Sequence, residues 1–131
     1  MHSFEPTIKL GGFSLWVLGR QFPDATDYWD GNWLNVRAQV KAHGAMVEAQ
    51  GPIIFAAEFA EFTAQLETLF ATMVGAAALR CMEPNLVITI RGEALGHIEL
   101  KINITPDHMA QSHDLQLKPL QSEFHLQVID Y

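Results

Sequence analysis

Histidines and carboxylates are the side chains of this sequence that could bind a metal ion, and their spacing can be tested first. His108 and His113 are five residues apart, so they do not share a helical face as a His-x3-His pair would. Neither has a Cys or Glu neighbour at zinc-ligand spacing. Asp24, Asp27 and Asp30 are three apart, whereas a calcium loop of the EF-hand type needs oxygen ligands at alternate positions. We therefore expect no metal and no cofactor.

Nucleophilic catalysis also lacks its sequence signatures. The chain has no Gly-x-Ser-x-Gly elbow and no glycine-rich phosphate loop. Its single cysteine, Cys81, lies in an apolar segment, which favours a buried small side chain over a reactive thiol. Carboxylates are numerous, but linear spacing does not tell which of them approach one another, so a glycosidase-like pair stays open. The prediction is a protein that is not an enzyme.

Charge indicates the kind of partner. Fifteen acids against eight Lys and Arg give a net charge of −7, which argues against nucleic acid as a ligand. No Lys or Arg occurs from Ala42 to Leu79. The acids inside and just before this window are Asp24, Asp27, Asp30, Glu48, Glu58, Glu61 and Glu67. Such a field can steer a basic protein partner, and the alternative is that it serves solubility.

Hydrophobic periodicity predicts an α+β fold. Alternating or extended patterns predict strands at 7–10, 13–20, 33–42, 45–50, 77–82, 85–91, 96–105, 114–118 and 122–130. Apolar residues at three- and four-residue steps predict one amphipathic helix over about 56–74, ending near Gly75. Short connections imply antiparallel neighbours. We expect one domain over 1–131, with about seven to nine strands in a twisted sheet or a two-sheet sandwich and the helix on an apolar face.

The cellular location follows from what the chain lacks. No stretch reaches the roughly 18–20 apolar residues that a membrane span needs, and one cysteine allows no intrachain disulfide. We expect a cytoplasmic protein without membrane contact. The sequence does not indicate its oligomeric state.

The segment Asp27-Tyr-Trp-Asp-Gly-Asn-Trp-Leu34 is the most unusual in the chain. Asp30 and Gly31 form a turn signal, and two tryptophans flank it. In a structural interpretation, Trp29 and Trp33 pack against the sheet, and Asp30 and Asn32 cap the turn. In a functional interpretation, exposed indoles beside carboxylates bind Arg or Lys through ion pairs and cation–π contacts.

This motif, with a strand ending near Gly19–Phe22 before it and an alternating strand after it, resembles the WapI-type bacterial immunity proteins. The later layout of helix, strand around 85–91 and strand around 96–104 is similar too. The resemblance implies an inhibitor of a contact-dependent toxin, and the WapI-type toxin carries a C-terminal domain that degrades tRNA. The resemblance covers the motif positions Asp27–Leu34, and it assigns no toxin-contacting residues.

Three hypotheses follow. The first is an acidic immunity protein that occludes a basic toxin domain, with contacts at Asp24, Asp27, Asp30, Glu48, Glu58 and Glu61. In it, the motif residues Tyr28, Trp29, Gly31, Asn32 and Trp33 serve the fold. The second is a small-molecule-binding or enzymatic domain with the Trp29/Trp33 loop at a pocket mouth. The third is a module that self-associates through an exposed strand edge.

Overall fold

The computed structural model describes residues 5–27, 31–83, 85–107 and 109–127. Nine strands and one long helix lie within these residues. In chain order they are β1 (Ile8–Leu10), β2 (Phe13–Arg20), β3 (Trp33–Ala42), β4 (Ala45–Phe55), α1 (Ala56–Thr72), β5 (Ala76–Arg80), β6 (Leu86–Gly92), β7 (Ile98–Ile104), β8 (Asp114–Leu117) and β9 (Phe124–Leu126). Single 3-10 turns at Ala94–Gly96 and Gln121–Glu123 precede β7 and β9.

The strands form two antiparallel sheets. Sheet one has the order β4-β3-β2-β1-β9, and sheet two has the order β5-β6-β7-β8. Strands that follow one another in the chain are joined by turns or by loops of up to twelve residues, except that α1 is inserted between β4 and β5. Strand β9 returns to pair with β1. The predicted α+β class with antiparallel strands and one helix is confirmed. Of the two architectures that the sequence left open, the strands adopt the one with two sheets.

Strand β4 is longer than predicted, because it continues through Gly51 and Pro52 to Phe55. Pro52 pairs with Asn35 next to a register shift in the β3–β4 ladder. A proline is tolerated there because β4 is the outer strand of its sheet, where half of the N–H groups face no partner strand.

The helix ends earlier than predicted, at Thr72 rather than near Gly75. Met73 takes a left-handed conformation with φ of 56°, and its N–H donates to the carbonyl of Leu69 at 2.6 Å. This closes the last turn as an αL cap, which glycine usually provides. Gly75, with φ of 99°, then redirects the chain into β5.

One hydrophobic core joins the two sheets and the helix. The inward residues of β3, for example Leu34, Val36 and Val40, are fully buried, as their alternation predicts. From the helix, the buried side chains are Phe59, Phe62, Leu66 and Leu69. Burying a large apolar side chain stabilises a protein by about 1.5–3 kcal/mol, so these rows hold the sheets together.

Helix α1 bridges the edges of the two sheets. Gln65 accepts a hydrogen bond from the N–H of Ala78 in the edge strand β5 at 2.8 Å. On sheet one, Phe70 stacks on Phe124 of β9, with 3.7 Å between ring centroids and 2° between ring planes. A 17-residue helix is about 25 Å long, so its two ends lie near different sets of loops.

Two ends of the molecule can be defined from these loops. The N-terminal end of α1 adjoins the β2–β3 loop (21–32), the β5–β6 loop (81–85) and the β7–β8 loop (105–113). The C-terminal end of α1 adjoins the tight turns at 11–12, 73–75 and 93–97 and the segment 118–121. We call them the N-end and the C-end.

Candidate functional site

Arg20 fixes the described part of the Asp27–Leu34 motif. Its guanidinium donates to the carbonyl of Gly31 at 2.5 Å and to the side-chain oxygen of Asn32 at 2.9 Å. The N–H of Gly31 in turn donates to the carbonyl of Asp27 at 2.9 Å. One half-buried cation therefore holds the end of the β2–β3 loop, since a guanidinium offers several donors in fixed directions. Tyr28, Trp29 and Asp30 lie outside the described residues.

The remaining motif residues connect this loop to the helix. A Cβ added to Gly31 would lie 2.9 Å from the carbonyl oxygen of Ala25, so a larger residue would push the two arms of the loop apart. The carbonyl of Asn32 accepts the N–H of Ala56, the first residue of α1, at 2.8 Å. Trp33 is half-buried and meets the ring of Phe55 edge-on at 5.3 Å.

The acidic side chains of the loop are on its surface. Asp24 and Asp27 are both exposed. Asp24 lines an open groove of about 390 Å³ together with its neighbours from Gln21 to Ala25. Trp33 does not line this groove. The described part of the loop therefore presents carboxylates to solvent, while Trp33, at the start of β3, packs against Phe55 at the end of β4.

Glu58 and Glu61 differ in what surrounds their carboxylates. Glu58 is half-buried, and its two oxygens accept the N–H of Phe55 at 2.8 Å and the N–H of Met82 at 2.9 Å. Glu61, one turn later, is exposed. Both line a groove of about 230 Å³ between α1 and β5, to which Arg80 contributes the positive charge.

Glu48 lies on the outer face of sheet one, beside the guanidinium of Arg37. Its carboxylate accepts from Arg37 at 2.6 Å and from Gln39 at 3.2 Å. The Arg37 guanidinium also lies 4.8 Å from the ring centroid of Trp16. Seven residues of strand separate Glu48 from Phe55, a distance of about 23 Å. The fold thus brings Asp24, Asp27, Glu58 and Glu61 to the N-end and leaves Glu48 elsewhere.

Two further exposed acids, Glu83 and Asp107, belong to the N-end. They are on the β5–β6 and β7–β8 loops, which meet where the N–H of Thr105 donates to the carbonyl of Asn85 at 2.9 Å. Charge along the sequence did not reveal them, because they lie outside the window without Lys or Arg. Strand pairing was the signal available, since antiparallel hairpins return alternate loops to the same end of a sheet.

Cys81 follows β5 and packs against the core. Burial raises the pKa of its thiol to about 12, and the negative charge of Glu58 adds to the rise. The side chain is therefore a neutral thiol at physiological pH, and thiolate chemistry needs the ionised form.

Neither a group of metal-binding side chains nor a membrane-spanning helix is found in the part of the chain that the structure describes. Within 5–27, 31–83, 85–107 and 109–127, no three His, Cys, Asp or Glu side chains group in a way that could hold a metal ion. Over the same residues, no helix combines the length and the apolar character that crossing a bilayer requires.

Comparison with known proteins supplies the family. No curated protein and no solved structure matches the chain. The family model of the WapI-like immunity proteins, however, matches residues 7–129. This match covers nearly the whole chain, from the residue before β1 to beyond β9, and it confirms the resemblance that the Asp27–Leu34 motif indicated. The chain belongs to the WapI-like immunity protein family.

Proposed function

We propose that this protein neutralises a cognate toxin domain by binding it and covering a basic surface, with no chemistry of its own. The observation that carries the proposal is the collection of carboxylates at the N-end, where the β2–β3 loop and the first turns of α1 meet. An immunity protein needs a surface complementary to its toxin, and a nuclease that grips phosphates offers a cationic one. We infer that the toxin is such a nuclease.

The proposed contacts divide by the exposure of their side chains, since Glu48 and Glu58 are half-buried and the other described acids among them are not. Asp24, Asp27 and Glu61 are exposed and are proposed to face the toxin. Asp30 remains a proposed toxin contact because of its position in the sequence, close to Asp24 and Asp27. Glu58 accepts hydrogen bonds from the backbone at the N-end, so we propose that it positions the loop there. Glu48 is bonded to Arg37 on another face, so we propose that it takes no part in toxin binding.

Electrostatic steering is the proposed means of capture. Complementary potentials raise association rates well above the values of neutral pairs, and salt screens the effect. The protein therefore binds its toxin faster at low ionic strength. The motif residues Gly31, Asn32 and Trp33 are proposed to serve the fold of the loop, so that its carboxylates are held in place before the toxin arrives.

The proposal predicts that a toxin domain is encoded directly upstream of this gene, and the test uses the domain found there. Co-expression of the wild-type protein should rescue cells from that domain, and the two should copurify in a complex that weakens with salt. Asp24→Lys or Glu61→Lys should each lower the association rate by about tenfold at low salt. Glu93→Lys, the same charge change at the C-end, is the matched control and should lower the rate clearly less, because its charge lies farther from the toxin.

Two outcomes would overturn different parts of the proposal. Absence of both rescue and copurification with wild-type protein would rule out neutralisation by binding. Rescue that persists while Asp24→Lys and Glu61→Lys behave like Glu93→Lys would rule out the acidic surface as the contact.

A further inference from the structure

We propose that the toxin-binding surface extends across the whole N-end and that Phe22, Met82 and Met109 supply its apolar contacts. This inference rests on the proposed function and identifies the surface that performs it. Sequence patterns had suggested acids of the β2–β3 loop and of α1. Phe22 is on the β2–β3 loop itself, whereas Met82 and Met109 are on two loops of sheet two, more than fifty residues later in the chain than Asp24.

These three side chains share an unusual environment. Met109 is 84% exposed, Met82 57% and Phe22 48%. Each has an exposed acid within two residues: Asp24 after Phe22, Glu83 after Met82, and Asp107 before Met109. Three separate loops thus repeat one combination of an outward apolar side chain and a carboxylate. An apolar contact inside a polar rim is the usual anatomy of a protein interface.

Hydrogen bonds of backbone and side-chain groups hold the loops beside one another. The carbonyl of Asn32, at the end of the first loop, accepts from Ala56 of α1. Glu58, in the first turn of α1, accepts from Met82 of the second loop. Asn85, at the end of that loop, bonds to Thr105 through both its carbonyl and its side-chain amide, at 2.9 Å and 2.8 Å. The three loops therefore form a continuous series across the N-end.

Local contacts also order the loop that carries Met109. The N–H of Met109 donates to the carboxylate of Asp107 at 3.1 Å, and the carbonyl of Asp107 accepts from Ala110 and Gln111. Methionine is flexible and polarizable, so it adapts to an irregular partner surface. A fixed backbone with adaptable tips reduces the entropy lost on binding.

The balance of exposed acidic and basic side chains favours the N-end over the C-end as the docking surface. The C-end also exposes apolar side chains, with Leu95 at 94%, Val74 at 76% and Leu120 at 43%. There, however, the exposed cations Lys41 and Lys118 balance the exposed acids Glu93 and Glu123. Among the residues that the structure describes at the N-end, five exposed acids face one exposed cation: Asp24, Asp27, Glu61, Glu83 and Asp107 against Arg80.

The occupant that fits this surface is a cationic protein domain. Its basic side chains would pair with the carboxylates while its apolar side chains meet Phe22 and the two methionines. A second copy of this chain fits poorly, since it carries the same net charge of −7 and like charges across an interface repel.

The experiment measures binding kinetics with the purified domain that the co-expression test uses. Phe22→Ser, Met82→Ser and Met109→Ser remove the proposed contacts, and Leu95→Ser removes an equally exposed side chain at the C-end. We expect each N-end variant to weaken the affinity by about 5- to 50-fold, mainly through faster dissociation. Leu95→Ser should stay within about twofold. Met82→Gln, which keeps the side-chain length, serves as a second variant should Met82→Ser melt earlier than the wild type.

The outcomes separate this inference from the proposed function. Wild-type protein that neither binds nor protects overturns both. Wild-type binding that the three N-end substitutions leave unchanged overturns the apolar surface and keeps neutralisation. Loss of binding in Leu95→Ser alone would place the interface at the C-end and overturn the inference as well.

Discussion

The carboxylate of Glu58 lies 2.9 Å from the backbone nitrogen of Met82, which follows it by 24 residues. The same side chain accepts the N–H of Phe55, the residue before α1, at 2.8 Å. One carboxylate thus caps the helix and attaches the β5–β6 loop to its first turn. Glu58 also lies where the helix dipole favours a negative charge.

Removal of the Glu58 carboxylate should lower stability more than removal of other helix acids. Two hydrogen bonds to a charged group are lost, so we expect Glu58→Ala to reduce the free energy of unfolding by about 2–3 kcal/mol. Glu61→Ala, exposed on the same helix, is the matched control and should change it by less than about 0.5 kcal/mol. Urea denaturation measures both. Equal effects of the two substitutions would contradict the bridging role.

Glu58 also illustrates what the sequence could predict and what it could not. Apolar side chains alternate along β3 and recur at helical spacing in α1 because those side chains are buried in the core. The fold class and its secondary-structure elements were therefore predictable. The contact between Glu58 and Met82 depends on how α1 lies along β5, which no local pattern encodes. Glu48 shows the converse. It lies with Glu58 in the segment without Lys or Arg, but strand β4 places it on another face of the protein, where it pairs with Arg37.

Gly31 should tolerate substitution poorly because of its neighbour. A Cβ at this position would be 2.9 Å from the carbonyl oxygen of Ala25, so the loop must shift to admit it. We expect Gly31→Ala to lower the free energy of unfolding by about 1–3 kcal/mol. Thr26→Ala, an exposed change in the same loop, should cost less than about 0.5 kcal/mol. Thermal melting compares the two, and a melting temperature equal to that of Thr26→Ala would exclude the close approach.

The Arg37–Glu48 pair should contribute little to stability and nothing to toxin binding. The two side chains are 42% and 35% exposed, and pairs of this kind contribute at most about 1 kcal/mol. A double-mutant cycle with Arg37→Gln and Glu48→Gln should give a coupling energy near 0.5 kcal/mol, reduced by salt. Toxin association should be unchanged in Glu48→Gln. A loss of affinity as large as that of Asp24→Lys would return Glu48 to the interface.

Cys81 should make the protein less stable at alkaline pH. Burial and the nearby charge of Glu58 raise its pKa from 9.0 to about 12, so between these values the folded state retains a proton that the unfolded state has lost. The contribution of the neutral thiol to the free energy of unfolding is complete below pH 9 and is lost as the pH rises toward 12. Between pH 9 and 11 we expect the wild type to lose on the order of 2 kcal/mol more than Cys81→Ala. Parallel pH profiles of the two would show that the thiol ionises equally in both states and contradict its burial.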